Sequence, residues 1–284
     1  PIRKALTSCR CFSFYPKGSA MRKLTYTNSV NGLSAEFSSD DPLMHLDLEN
    51  FDGSSAGATS VTYRPVEFDG QRTVSTNLSA RTIILPVEFA AKAAGKYSRA
   101  GALAVWDRLM KVFVPLHEGL LVWTDGVNSR RIKCRTAETP KLTEKLPYLF
   151  AASFSLVADY PYWEDISEHS VAVAAGSTVT INNACGLAVP ICIDVPAGGS
   201  QPLIFSRTAG HGVAFDIAPT KNCVVDTKEC TVTLSDGTLA NHLLGVNSEY
   251  FRLLPGDNEI QVLGVGTGTD TAVIRWRDLY MGVN

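Results

Sequence analysis

The chain has 284 residues, 45% hydrophobic and 19% charged: apolar material for two ordinary cores, and too little charge for a disordered chain. Its 26 basic and 28 acidic residues leave a net charge of −2, split as +3 over residues 1–165 and −5 over 166–284, which gives no electrostatic case for nucleic acid or an anionic lipid surface. No apolar run approaches the ~20 residues of a membrane span, and the first twenty residues lack the apolar stretch of a secretory signal.

Residues 1–20 show neither strand nor helix period, and Met21 opens a clean alternation. Lys17-Gly18-Ser19 can be encoded by a purine-rich run like a ribosome-binding site. Translation is therefore expected to start naturally at Met21, with residues 1–20 either read-through of untranslated sequence or a disordered arm.

Period two then dominates. Leu24 and Tyr26 mark a first strand, Asn28 to Gly32 a polar turn, and Leu33, Ala35 and Phe37 a second strand. Met44, Leu46 and Leu48 alternate with His45, Asp47 and Glu49. A loop rich in Gly and Ser follows, then Tyr63, Val66 and Phe68 and the Asp69-Gly70 turn. Ile83, Leu85, Val87 and Phe89 form a longer strand, which Pro86 predicts to be an edge or bulged one.

One segment changes period. Leu103, Trp106, Met110 and Phe113 fall on one stripe of a helix, with Ser98 as N-cap and Pro115 as stop. Strands resume at 120–124 and 131–135 around an Asp125–Asn128 hairpin loop. A long strand over Phe150, Ala152, Phe154, Leu156 and Ala158 ends at Asp159-Tyr160-Pro161-Tyr162-Trp163, where the proline predicts a domain boundary. Beyond it, short alternating runs joined by turns, among them Pro255-Gly256-Asp257-Asn258, predict a β-sandwich. The domains expected are 21–160 and 161–284.

Chemistry-bearing patterns are sparse. The five histidines share no helical metal spacing, and no Cys-x-x-Cys occurs. Seven cysteines, at 9, 11, 134, 185, 192, 223 and 230, read as free thiols of a reducing cytoplasm. The seven-residue spacings of Cys185/Cys192 and Cys223/Cys230 fit small buried strand residues. Gly264, Gly266 and Gly268 run into a strand and not a helix, so they do not make a phosphate loop. Glu164 and Asp165 are adjacent and point apart on an extended chain. No Gly-x-Ser-x-Gly elbow occurs. No catalytic residue, metal or cofactor is assigned. Tyr160, Pro161, Tyr162 and Trp163 are assigned to a domain junction, with stacking on a sugar as the competing use of the aromatics.

The order of these elements, with the opening Arg22-Lys23-Leu24-Thr25-Tyr26-Thr27-Asn28, the Pro161-Tyr162-Trp163 boundary, Leu253-Leu254-Pro255-Gly256-Asp257-Asn258 and Ile274-Arg275-Trp276-Arg277, resembles the distal tail protein (Dit) family of siphophages, the siphovirus-type tail component. The resemblance spans about residues 21–284. It implies an N-terminal β-sandwich with one α-helix that forms a hexameric ring, and a C-terminal galectin-like or carbohydrate-module-like β-sandwich. It implies a baseplate hub at the virion tail tip, made in the bacterial cytoplasm. The ring joins the tail-tube protein to a tail-tip or receptor-binding protein, without specific nucleic acid, membrane or catalysis. A ring needs a head-to-tail interface, for which exposed strand edges are natural material. That interface is expected in the strands around 61–89 and 116–135, with Tyr63, Arg64 and Arg81. Two other classes compete: a carbohydrate-binding module of a secreted or surface protein, and a hydrolase with an accessory sandwich.

Overall fold

The computed structural model describes residues 21–53, 56–63, 72–266 and 270–283. The chain divides into two compact units. The first runs to Ser129 and takes in Lys133–Tyr160; the second holds Arg130–Ile132 and everything from Pro161 on. Residues 1–20, Arg64, the Asp69-Gly70 turn and Gly268 lie outside the described residues.

The first unit contains β1 (Lys23–Asn28), β2 (Ser34–Ser38), β3 (Met44–Leu46), β4 (Ala58–Tyr63), β5 (Arg72–Leu78), β6 (Arg81–Ala90), β7 (Lys92–Ala93), β8 (Lys96–Tyr97), α1 (Arg99–Val112), β9 (Glu118–Thr124), β10 (Ser129–Thr136, apart from Arg130–Ile132), β11 (Leu142–Leu146) and β12 (Leu149–Ala158). The alternation expected of β1, β2 and β6 is present: Leu24, Tyr26, Phe37, Ile83, Leu85, Val87 and Phe89 are all buried. Their sheet does not stay open as half of a sandwich. It closes as a seven-stranded barrel in the order β12-β6-β3-β2-β1-β9-β10 and back to β12. The cause is the length of β12. One of its edges pairs with β6 over ten residues, from Leu149↔Ala90 to Ala158↔Arg81. Its other edge is shared between β11 at one end and β10 at the other, through Arg135↔Val157 and Thr136↔Leu156. Period two specifies a dry face but not whether the sheet meets itself.

Pro86 lies inside the sheet, opposite Ser153 of β12. Its ring nitrogen faces the β3 side, where β3 ends at Leu46 and only the Pro86 carbonyl is used, by the Asp47 N–H at 3.1 Å. Proline cannot return the second bond of that pair, and the β3–β6 ladder stops there.

Helix α1 starts where its cap predicts, with the Ser98 hydroxyl accepting the Gly101 N–H at 3.2 Å. Its buried stripe is Ala102, Leu109 and Val112, about one position before the one read from Leu103 and Met110, which are only half-buried. Phe113 ends the helix and is fully buried, stacked on Tyr26 at 4.7 Å and against Phe154 at 4.1 Å.

The second unit contains β13 (Trp163–Asp165), β14 (His169–Ala174), β15 (Thr178–Asn183), β16 (Val189–Val195), β17 (Gly199–Ser206), β18 (His211–Ala214), β19 (Cys223–Asp226), β20 (Thr231–Leu234), β21 (Arg252–Leu253), β22 (Gly256–Val265), β23 (Thr271–Trp276) and β24 (Leu279–Tyr280). They build antiparallel sheets, β14-β23-β16-β19-β20 with β21 also on β16, and β15-β22-β17-β18. Strand β17 opens with Gly199-Ser200-Gln201-Pro202, a segment to which the sequence assigns no strand. A Cβ on Gly199 would lie 2.1 Å from the Gly264 carbonyl oxygen, so only glycine lets β17 approach β22 there.

Candidate assembly surfaces and functional site

Among the described residues the β4–β5 ribbon pairs with no other strand. Every residue of it whose exposure is described, from Ala58 to Thr62 and at Thr73, Ser75 and Asn77, is exposed, with only Leu78 half-buried. Val61 keeps 55% of its surface exposed. Tyr63 is the last residue of β4, and Arg64 follows it outside the described residues. Arg81 is different. It shares the parity of Ile83, Leu85, Val87 and Phe89 on β6 and is fully buried, its guanidinium donating to the Gly53 carbonyl at 2.8 Å. Burial pulls its pKa down, opposed by the charge of Asp52. The side chain serves its own subunit, and the parity that places it there was legible in the alternation.

One end of the barrel carries exposed aliphatics. The Ser29 N–H donates to the Glu118 carbonyl, which sets the β1–β2 turn beside the 114–118 loop. Val30 is 67% exposed and Leu116 88%, and Leu116 also has a φ of 75°, a backbone region costly for leucine.

Trp163 is fully buried at the start of β13, opposite Tyr280, so it presents no face on which a sugar could stack. Pro161 is buried, and Tyr160 and Tyr162 are half-buried. Next to Trp163, Glu164 is the centre of a charge cluster within the second unit. It takes the Arg131 guanidinium at 3.1 Å and the Lys228 ammonium at 2.8 Å. Burial alone would raise its pKa; the hydrogen bond and charge of Lys228, with Arg131, outweigh burial and hold the carboxyl below the ordinary range. Asp165 accepts from the Ser167 N–H and the Tyr280 hydroxyl. The Asp226 carboxylate accepts the Lys228 and Glu229 N–H groups. Asp194 takes Arg275 through two hydrogen bonds of 2.8 and 2.7 Å. These carboxylates tie strands and turns.

Of the four thiols expected as small buried strand residues, Cys192 and Cys223 lie in strands, whereas Cys185 is half-buried and Cys230 exposed, both outside strands, because a seven-residue spacing also spans a strand and its turn. Burial pushes Cys134 up to about 12 and Cys192 and Cys223 up to about 11. Cys185 and Cys230 lie in turns. Among the described residues no group of three His, Cys, Asp or Glu side chains is placed to hold a metal, and no helix is long and apolar enough to cross a membrane. A cleft of about 580 Å³ on the first unit has Pro86, Ala151, Ser153 and Ser155 on its lining, with charges of both signs at Asp47 and Lys141.

The Leu-Pro-Gly-Asp-Asn motif is organised by Asn258, which is fully buried. Its side chain accepts the Leu254 N–H at 2.8 Å and donates to the Leu254 and Gly256 carbonyls at 2.7 and 2.8 Å. The sequence reading missed Gly119, Arg131 and Lys228. The last two meet Glu164 across 33 and 64 residues, and no local pattern announces that.

Residues 196–280 match the family model for the siphovirus-type tail component, C-terminal domain. No curated protein matches the chain by sequence. Among solved structures, the Dit protein of phage SPP1, described as a paradigm of the hub adsorption apparatus of phages infecting Gram-positive bacteria, superposes with a TM-score of 0.63 at 11% identity, covering 90% of this chain and 99% of that one. Chains of the phage P2 baseplate in its activated conformation match at TM-scores of 0.53 and 0.54, with 8% and 9% identity, 93% of this chain and 99% of theirs. The family's pattern thus lies on the C-terminal part of the chain, and the fold along most of its length is like that of the SPP1 Dit protein.

Proposed function

We propose that this protein is the hub of the tail tip, a closed ring of six copies that joins the tail-tube protein to a tail-tip or receptor-binding protein. The observation that carries the reading is the fold likeness to the SPP1 hub protein over 90% of the chain, combined with the family pattern at residues 196–280. The domains are 21–160, which forms the ring, and 161–284, a galectin-like or carbohydrate-module-like β-sandwich. The two antiparallel sheets of the second unit support the latter.

The ring contact is assigned to the β4–β5 ribbon with Tyr63 and Arg64, and to the neighbouring strand edges. An isolated two-stranded ribbon is marginal in water and gains from a covering surface. The buried side chain of Arg81 is left out of it. The aliphatic end at Val30 and Leu116 is assigned to an axial partner, because two exposed aliphatic side chains are brought together there. Tyr160, Pro161, Tyr162 and Trp163 join the domains.

Light scattering on the purified chain, alone and mixed with the tail-tube protein, tests the reading. A mass of six copies in either sample is expected. A monomer in both would overturn the ring, and glycan binding by that monomer would move the assignment to a carbohydrate-binding module.

A further inference from the structure

The β1–β2 turn contains Asn31-Gly32, and both residues are exposed. The amide nitrogen after an asparagine lies one ring closure away from the side-chain carbonyl carbon, and glycine leaves that approach unhindered. Gly32 has a φ of 70° and open space where a Cβ would stand. The same turn is wired to the helix. The Asn31 amide donates to the Lys111 carbonyl at 2.9 Å, and the Asn28 amide to the Val112 carbonyl at 2.9 Å. Those are among the last carbonyls of α1, which the helix itself cannot satisfy. We propose that Asn31 is a deamidation site gated by the closed turn, and that its product uncaps the C-terminal end of α1.

The step is balanced by water alone. The Gly32 nitrogen gives its proton to hydroxide and attacks Asn31 Cγ. The N–Cγ bond forms, the Cγ–Nδ2 bond breaks, and ammonia leaves with a proton from water. Water then opens the five-membered imide at either carbonyl, giving aspartate or isoaspartate. Nothing is oxidised or reduced.

The folded turn holds each reacting group elsewhere. The Gly32 N–H donates to the Asn28 carbonyl at 3.0 Å, and the Asn31 side-chain oxygen accepts the Leu33 N–H at 3.0 Å. With the bond to Lys111, three hydrogen bonds open before nitrogen reaches carbon. Once aspartate forms, the Lys111 carbonyl loses its donor and a carboxylate faces the negative end of the helix dipole. Isoaspartate lengthens the backbone by one atom inside the turn closed by the 2.9 Å bond from the Asn28 N–H to the Leu33 carbonyl. Phe113, which follows the helix, is stacked on Tyr26, so the loss reaches the barrel packing.

The test is ageing of the full-length protein at alkaline pH, folded and in denaturant. Peptide mass spectrometry locates the one-dalton gain and the isoaspartate. Conversion is expected at residue 31 ahead of Asn28 and Asn50, and roughly tenfold slower in the folded chain, since a turn opens at the low end of local stabilities. Asn31→Gln, which keeps an amide donor, abolishes conversion at that position. Asn31→Asp lowers Tm by about 2–4 °C. If that variant does not fold, the Tm of the aged protein is read instead. Equal rates in both states overturn the gate, and no conversion in the folded chain after many denatured-state half-lives overturns the site. An unchanged Tm in the variant or aged protein overturns the uncapping.

Discussion

Replacing Gly119 by alanine isolates what holds helix and barrel together. Gly119 does not have a positive φ, so alanine suits its backbone and by itself would stabilise by about 0.4–1 kcal/mol through the unfolded chain. The new Cβ, however, would lie 2.3 Å from Tyr26 Cζ, 2.4 Å from its hydroxyl oxygen and 2.6 Å from Cε2. Carbon atoms rest at roughly 3.5–4.0 Å, so more than an ångström of overlap has to be relieved. The ring has no room to retreat: it is fully buried and stacked on Phe113 at an interplanar angle of 14°. We expect a net loss of about 3 kcal/mol, at the upper end of ordinary overpacking. In a unit of this size that lowers Tm by roughly 6–12 °C. Near-ultraviolet circular dichroism during thermal unfolding, with the Tyr26→Leu single and double variants, completes a cycle. Leucine lacks the three clashing atoms, so the double variant is expected to lose about 2 kcal/mol less than the sum of the singles. A Gly119→Ala protein within about 0.5 kcal/mol of wild type, or additive singles, would refute the reasoning.

Glu164→Gln should destabilise the second unit by about 2 kcal/mol at neutral pH, because Arg131 and Lys228 keep their charges without the carboxylate. The folded pKa of Glu164 is depressed, so its contribution is present above the ordinary glutamate value of about 4.3 and is lost as pH falls below it; denaturant titrations at several pH values should show the variant losing that acid sensitivity. Asn258→Ala removes three hydrogen bonds from a buried side chain to the backbone of the Leu254–Gly256 turn and should cost about 2 kcal/mol in urea unfolding, whereas an exposed Asn182→Ala should cost less than about 0.5 kcal/mol. Cys134, buried and held at about 12, should resist maleimide at pH 8 until the protein is denatured, while exposed Cys230 reacts at once; fast native labelling of Cys134 would contradict its place in the barrel.

Much of the chain was legible because local physics dictates it. The alternation in β6 follows from one wet and one dry face, and it put Arg81 inside with the same force as Ile83. Ser98 capped the helix for a reason confined to four residues. The sequence assigns no strand at β17; the glycine at its start serves a close backbone approach to β22, visible only when both strands are present.

What sequence alone determined was the alternation of most strands, the position of helix α1 and, through motif order, the resemblance to a tail-component family. Those rest on periods of two and 3.6 residues and on backbone chemistry, each confined to a few neighbours. Tertiary structure alone decided that β12 would meet β10 and shut a barrel, that Gly119 would lie under Tyr26, and that Glu164 would gather cations from distant segments. These depend on which surfaces come together once the chain is compact, and such pairings carry no periodic signature along it.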